Sequence, residues 1–462
     1  MKDYCAYSFW LDEANDDLTP RPPLDGSISV DVAILGAGFT GLWTAYHLLD
    51  REPSLKVAIV EAEIAGFGAS GRNGGWCYSG FPLPLGKLIE KYGRDTAKAI
   101  QLAMFDSVDD VGRVCELEGI DAHFLKNGVL NLARAPHQLE SQRERMQLIR
   151  DLELEHAYEL LDAEQSMERV VVSKTLGAIW DKNSATVQPA RLARGLARAV
   201  ERKGAKIFEQ TRATGFVPGP LPRLDTERGN ISAKAVVIAG EAYLAGLPQL
   251  RRQIMPLTSH IVITEPLNHE QRAQIGWERR ELLGAWGVYG AYVNHTADGR
   301  IAWGAFRSNY PFGSKVTDSI DRDEEIFEHA RRGTLDWFPM LKGIRFTHAW
   351  GGVYGRPRDH MPTMAYDRQT GIATAYGYTG SGVSTANLSG RLLADQITER
   401  ETALTKLPMA THHSPNWEPE PLRWLGVRYV SWGIRKVTEE AELTGKIPDR
   451  PTLKLAQRWF DW

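Results

Sequence analysis

The stretch Val30 to Leu49, VDVAILGAGFTGLWTAYHLL, decides how this chain is read. An apolar strand runs into the turn Gly36-Ala37-Gly38-Phe39-Thr40-Gly41, and an apolar helix follows. A GxGxxG turn between strand and helix brings backbone N–H groups close to a pyrophosphate at the positive end of the helix. Alone, the pattern serves equally well as a tight turn needed only for packing. Its surroundings decide: a second apolar strand, Lys56 to Val60, follows at βαβ spacing and ends on Glu61. A carboxylate there is placed to take the ribose hydroxyl of an adenine dinucleotide.

Two further glycine clusters extend the reading. GFGASGRNGGWCYSG (66–80) has no side chains where a backbone passes close to a flat ligand, and Ser70, Arg72 and Asn73 offer donors for phosphate and ring heteroatoms. The bland alternative is a charged surface loop. GYTGSGVSTANLSGRLLADQI (377–397) repeats the logic: Gly377, Gly380 and Gly382 make a tight loop into a helix from about Val383, whose first N–H groups face an anion or a carbonyl oxygen. Its alternative is a glycine-rich helix start without a ligand.

The bulk composition excludes several classes. The 462 residues are too many for one simple core, and 43% apolar with 24% charged residues is ordinary for a globular protein. A net charge of −3 gives no case for nucleic acid or an anionic membrane. Cys5, Cys77 and Cys115 are too few and scattered for a disulfide framework or a zinc site, and suit a reducing compartment. The acidic, aromatic opening MKDYCAYSFWLDEANDD is no signal peptide, and no apolar run approaches the ~20 residues of a membrane helix, so the expected location is cytoplasmic. There is no HExxH, CxxC or GxSxG, hence no support for metal or acyl-transfer chemistry.

Periodicity organises the rest. Helices are expected within 84–165, with Gly119 as a C-cap, and over 189–203, 321–342, 421–443 and 450–460. A hairpin is expected around Asn127-Gly128 within 122–134, a strand pair over 205–217, and strands over 255–306 with a tight turn at Asp298-Gly299. The return of strand and turn at 233–244 implies a first domain assembled from separated pieces of chain. Trp286, Tyr289, Tyr292, Arg307 and Tyr310 are candidates for a substrate pocket, while His260 on its strand reads as structural. Fourteen Trp exceed what is usual; most serve packing.

DVAILGAGFTG with Glu61, GASGRNGG (68–75) and GYTGSGV (377–383), in that order, resemble the FAD-dependent D-amino acid oxidase/glycine oxidase (DAO) superfamily. SFWLDEA and ASGRNGG look most like its γ-glutamylputrescine oxidoreductase-like branch. The resemblance covers roughly residues 8 to 400. It implies an α/β chain with mixed α+β character: a glutathione-reductase-like Rossmann domain binding FAD, discontinuous in sequence (1–83, 186–254, 345–404), a mixed β-sheet substrate domain (84–185, 255–344), and a helical C-terminal extension (405–462). Carried over residue by residue, Gly36, Gly38, Phe39 and Gly41 hold the pyrophosphate, and Glu61 with Ala62 the adenosine ribose. Ser70, Gly71, Arg72, Asn73, Gly74 and Gly75 run beside the pyrophosphate and isoalloxazine. Ala213 meets the adenine, and Gly377, Tyr378, Thr379, Gly380, Gly382 and Val383 cup the ribityl chain and pyrimidine edge. Neither a histidine nor a cysteine matches an attachment position, so non-covalent FAD is expected, with Cys77 a buried free thiol.

One departure bears on substrate. Many members carry an Arg for a substrate carboxylate in a YxRxTxDGR-like strand; here it reads YVNHTADGR (292–300). That leans toward an amine or a decorated amine, with Tyr292, Arg307 and Trp350 as pocket residues. The implied reaction oxidises the C–N bond of a primary or secondary amine by hydride transfer to flavin N5, and the imine hydrolyses to an aldehyde or keto product. O2 or another acceptor then takes the electrons. A dehydrogenase of a 2-hydroxy acid with a non-oxygen acceptor stays open, as does a non-catalytic FAD-binding partner subunit. The tail, rich in Trp, is compatible with a homo-oligomer or partner surface, a surface-lying amphipathic helix, or packing on its own domain.

Overall fold

The computed structural model describes residues 2–287, 290–305, 309–317, 320 and 322–460. Tyr289 and Arg307 lie outside the described residues.

Val32–Leu35 sits at the centre of a six-stranded sheet. It pairs in parallel with Val57–Val60 on one side and Ala235–Ile238 on the other. Lys206–Phe208 and Ile372–Tyr376 extend the parallel run, and Thr363–Asp367 closes one edge antiparallel. These short strands are continuously apolar because both faces are covered. Val32, Ile34, Ile59 and Val237 pack into one core with the helices Phe39–Arg51 and Gly382–Ile397. Ala33, Ala58, Val236 and Ile238 pack the other way, against Leu224 and Ile231 of a small four-stranded sheet. The two helices approach backbone to backbone: a Cβ on Gly390 would lie 2.6 Å from the carbonyl carbon of Trp43.

An eight-stranded mixed sheet forms the second layer, in the order Phe346–Arg356, Met255–Thr264, Ile301–Ala305, Ala291–His295, Leu282–Ala285, Val129–Ala133, Gly177–Asp181, Tyr158–Asp162. Its one parallel pairing joins Leu282–Ala285 to Val129–Ala133. The helix Glu324–Trp337 packs on one side, with the rings of Trp303 and Trp337 edge to face at 4.8 Å. Asp298-Gly299 turns between Ala291–His295 and Ile301–Ala305 as expected, Gly299 taking φ +83°.

Three expectations are corrected. Asn127-Gly128 makes no hairpin: Gly128 turns at φ +84°, but Leu125 bridges Thr186 while Val129–Ala133 pairs with Gly177–Asp181. Residues 205–217 are not a strand pair, because Lys206–Phe208 joins the six-stranded sheet and Ala213–Val217 the four-stranded one. In both cases long-range partners won over the local turn. The boundary at 345 also moves: Phe346–Arg356 pairs along its length with Met255–Thr264 and belongs to the large sheet. Conversely, Ile100, Met104 and Val108 of the helix Arg94–Glu118 share the core of Trp43 and Leu392.

The tail is anchored. Trp417 donates its N–H to the Arg252 carbonyl at 2.7 Å and its indole Nε1–H to the Arg356 carbonyl at 2.9 Å. The helices Leu422–Thr444 and Pro451–Phe460 pack together, with Tyr429 edge-on to Trp459 at 5.7 Å. Among the described residues no helix is long and apolar enough to cross a membrane.

Candidate active site

The first strand, the GxGxxG turn and the helix Phe39–Arg51 meet the cavity that holds the site. Gly36 donates to the Val60 carbonyl at 2.8 Å, locking the turn to the neighbouring strand. A Cβ on Gly41 would lie 1.9 Å from the Gly36 carbonyl oxygen, so the turn closes only on glycine there. Glu61 accepts from the Ala37 N–H at 2.9 Å and from the Glu63 N–H at 3.0 Å. Burial raises its carboxyl above the ordinary range. Ser70 Oγ accepts from the Phe39 N–H at 2.8 Å, tying the second glycine segment to the helix N-terminus.

That second segment is held from outside by groups scattered along the chain. Asn73 caps it internally, donating to the Ala69 and Ser70 carbonyls and accepting from the Gly75 N–H at 2.9 Å. Trp10 Nε1–H donates to the Asn73 carbonyl at 2.7 Å, Trp350 Nε1–H to the Arg72 carbonyl at 2.9 Å, and Asn294 Nδ2–H to the Gly74 carbonyl at 3.1 Å. Arg72 donates to the Phe67 carbonyl at 2.8 Å and lies 4.2 Å over the Phe67 ring, so its guanidinium braces the loop.

At the far end the helix Gly382–Ile397 opens onto the cavity with no side-chain cap, its positive end bare. The Gly377 and Tyr378 N–H groups donate to Glu241 Oε1 at 3.0 and 3.1 Å. Glu241 follows the strand Ala235–Ile238 and takes φ +47°. Burial pushes its carboxyl up to about 7 against the backbone hydrogen bonds that favour the anion.

These elements line one cavity of about 1550 Å³. Its lining includes Glu61, Ala62 and Ala213, Gly36, Gly38, Phe39 and Ser70, Thr379, Gly380, Gly382 and Val383, and an aromatic chamber of Trp76, Tyr78 and Tyr292 with Asn131 and Trp286. A carboxylate, a glycine turn under a helix N-terminus, and a second helix N-terminus all face it. That set fits the diol, diphosphate and flat ring of a flavin dinucleotide. The volume exceeds the ~300–1,000 Å³ of a single ligand pocket and suits a cofactor and a substrate together.

The profile of FAD dependent oxidoreductases, DAO, matches residues 31–396. The chain belongs to this family. Among curated DAO-like relatives, gamma-glutamylputrescine oxidoreductase of Escherichia coli (strain K12) is 29% identical over 432 residues, covering 92% of this chain and 97% of the relative. Glycine oxidase of Geobacillus kaustophilus is 23% identical over 398 residues, 83% of this chain and 97% of that one. The crystal structure of glycine oxidase from Geobacillus kaustophilus superposes with a TM-score of 0.70 at 21% identity, covering 84% of this chain and 100% of it; it shares the fold. As a DAO-family member this chain is an FAD-dependent oxidoreductase.

Within the DAO frame, most expected site residues line the cavity, but Gly41, Gly71, Gly75, Gly377 and Trp350 do not. They stand behind its wall and shape it. Trp350 is therefore a support for the loop at Arg72, packed edge-on to Trp10 at 6.0 Å. Cys77 is buried and off the cavity wall, its thiol pushed up by burial. His260 is buried edge-on to Phe327. Tyr292 does enter the chamber. Its hydroxyl shares a 2.5 Å hydrogen bond with Ser259 Oγ, and burial raises its phenol so that it stays protonated.

Sequence reasoning missed Glu241, Tyr78, Asn131 and Arg145, and gave the tail no role in the site. Trp417, Leu422, Leu425, Tyr429 and Trp459 also line the cavity. Glu241 had a signal: one carboxylate inside the apolar run 235–247.

Proposed function

We propose that this DAO-family protein oxidises the C–N bond of a primary or secondary amine, giving an imine that water hydrolyses to a carbonyl product. The observation that carries the reading is the aromatic chamber of Trp76, Tyr78 and Tyr292 opening directly from the cofactor cradle. The names of similar proteins support it: gamma-glutamylputrescine oxidoreductase, glycine oxidase and sarcosine oxidase subunit beta all point to C–N substrates.

In this reading Glu61, Ala62 and Ala213 take the adenosine end of FAD. Gly36, Gly38, Phe39 and Ser70 take the diphosphate, and Asn73, Gly74 and Thr379 to Val383 flank the ring. The cofactor unit is the six-stranded sheet with its helices. The substrate unit is the eight-stranded sheet, the strand Phe346–Arg356 included. FAD supplies hydride acceptance when bound.

The chain's own residues orient and dry the reaction. The aromatic walls hold the amine by packing and cation–π contact, and the neutral amine, with its lone pair free, is the form that can be oxidised. Tyr292, protonated and hydrogen-bonded to Ser259, orients the substrate and takes no proton. The bare N-terminus of Gly382–Ile397 places positive potential where negative charge develops. Glu241 holds the Gly377-Tyr378 backbone that forms this end.

The test is product analysis. The FAD-loaded protein is incubated in air with a panel of amines, amino acids and 2-hydroxy acids, and carbonyl product and peroxide are assayed. One carbonyl per amine consumed supports the proposal. Turnover of a 2-hydroxy acid with no amine consumed replaces it by alcohol oxidation, and no turnover of any member removes it.

A further inference from the structure

Arg145 stands out when every charge on the cavity wall is matched to its partner. The other arginines there are engaged or distant. Arg72 braces Phe67, Arg356 meets His360, Arg358 pairs with Glu418 at 3.1 Å and Arg423 with Glu420 at 3.1 Å. Arg212 is exposed at the Glu61 end. Arg145, half-buried on the helix Pro136–Asp151, lines the chamber and makes no hydrogen bond or ion pair among the described residues.

Its surroundings explain what it lacks. Its charge is felt by Tyr78, Tyr158 and Asp181. Asp181 is the buried carboxylate of the group, but it is satisfied by Ser79 Oγ–H, by Ser184 Oγ–H at 3.0 Å and by the Asn183 N–H at 2.9 Å, and it forms no ion pair with Arg145. A guanidinium with no partner in the protein keeps its hydrogen-bonding capacity for solvent or a ligand. Here the open side is the cavity.

Position adds a second, independent observation. From Tyr292, whose ring abuts Gly74 of the cofactor loop, an aromatic row leads away: Trp76 at 6.2 Å and Tyr78 at 6.1 Å beyond it. Arg145 lines the same cavity, close enough to Tyr78 for the phenol to feel its charge. Asn294, on the strand of Tyr292, is engaged in holding the Gly74 carbonyl.

We propose that Arg145 is a specificity-determining residue that binds a carboxylate at the far end of the substrate from the reacting amine. This rests on the amine reading and names its substrate class: flexible ω-amino carboxylates, with the methylene chain along the aromatic row and the carboxylate on the planar guanidinium fork. Small α-amino acids, with the two groups adjacent, do not span the row.

The experiment uses the FAD-loaded full chain. Dissociation constants are measured anaerobically by calorimetry for glycine, γ-aminobutyrate, δ-aminovalerate and ε-aminocaproate, and for alkylamines of matched length, with flavin bleaching followed in parallel. At one of the longer lengths the carboxylate is expected to bind roughly 10- to 100-fold tighter than its alkylamine match. Arg145→Met keeps the apolar stem and is expected to collapse that ratio toward one, with Arg145→Lys recovering part of it. The proposal is overturned if no length shows a carboxylate preference in the native protein, a result that needs no variant. It is also overturned if Arg145→Met weakens both series equally. Carboxylate binding that depends on Arg145, without bleaching by any amine, keeps the anion site and removes the amine reaction instead.

Discussion

Tyr292 occupies the space a side chain on Gly304 would need: a Cβ there would lie 1.9 Å from the Tyr292 Cζ. The two sit opposite each other on neighbouring strands, Ala291–His295 and Ile301–Ala305. On its other edge the ring meets Gly74, where a Cβ would fall 2.5 Å from Cε2. The ring is thus clamped between the large sheet and the cofactor loop, and its hydroxyl is aimed by Ser259.

Two substitutions separate ring from hydroxyl. Tyr292→Phe keeps the clamp and removes one hydrogen bond, so kcat/KM for the amine is expected to fall roughly tenfold with FAD content unchanged. Gly304→Ala overpacks the site and is expected to cost roughly 1–3 kcal/mol of stability, read as a lower melting temperature with a disturbed flavin spectrum. Native behaviour of Gly304→Ala would mean the ring is free to move.

Trp350→Phe tests whether this indole supports the loop. Losing its bond to Arg72 leaves a buried carbonyl unsatisfied, at about 1–3 kcal/mol. FAD affinity, measured by fluorescence titration of the apoprotein, is expected to weaken, with a smaller change in turnover at saturating FAD. A collapse of turnover with FAD affinity intact would return Trp350 to the chamber.

Glu241 makes stability depend on pH. Its folded value of about 7 stands above the ordinary 4.5, so the native state holds the proton more tightly than the unfolded chain. The contribution is fully present below about 4.5 and is lost as pH rises toward 7. Glu241→Gln removes this slope: relative to the variant, the apoprotein is expected to lose of the order of 3 kcal/mol over that window. Parallel denaturation curves across that range would contradict it.

The legibility of the chain was uneven for physical reasons. The Rossmann half is dictated by local pattern: continuous apolar strands, a turn that closes only with Gly41, and helices with one apolar face. The large sheet is dictated by non-local pairing, and so Leu125 and Lys206 went to partners that sequence distance hides. The glycine segment at 66–75 was readable as a ligand loop, but what holds it was not, because Trp10, Asn294 and Trp350 converge on three successive carbonyls from far apart in sequence. Arg145 carries no signal in sequence at all; on the polar helix Pro136–Asp151 it looks like any solvated charge.

Catalysis should follow the ionisation of the substrate. Tyr292 stays protonated and contributes no base, so kcat/KM is expected to rise with pH toward the amine's own value of about 10. An inflection near 7 that disappears in Glu241→Gln would instead place a proton transfer on that carboxyl.

The most direct measurement is the absorbance of the FAD-loaded protein under anaerobic conditions as an amine is added, compared with the same amine deuterated on its α-carbon. Hydride removal from that carbon predicts bleaching of the oxidised-flavin band, slowed by deuterium. A flavin that no amine bleaches, or bleaching indifferent to the isotope, would contradict C–N oxidation by hydride transfer.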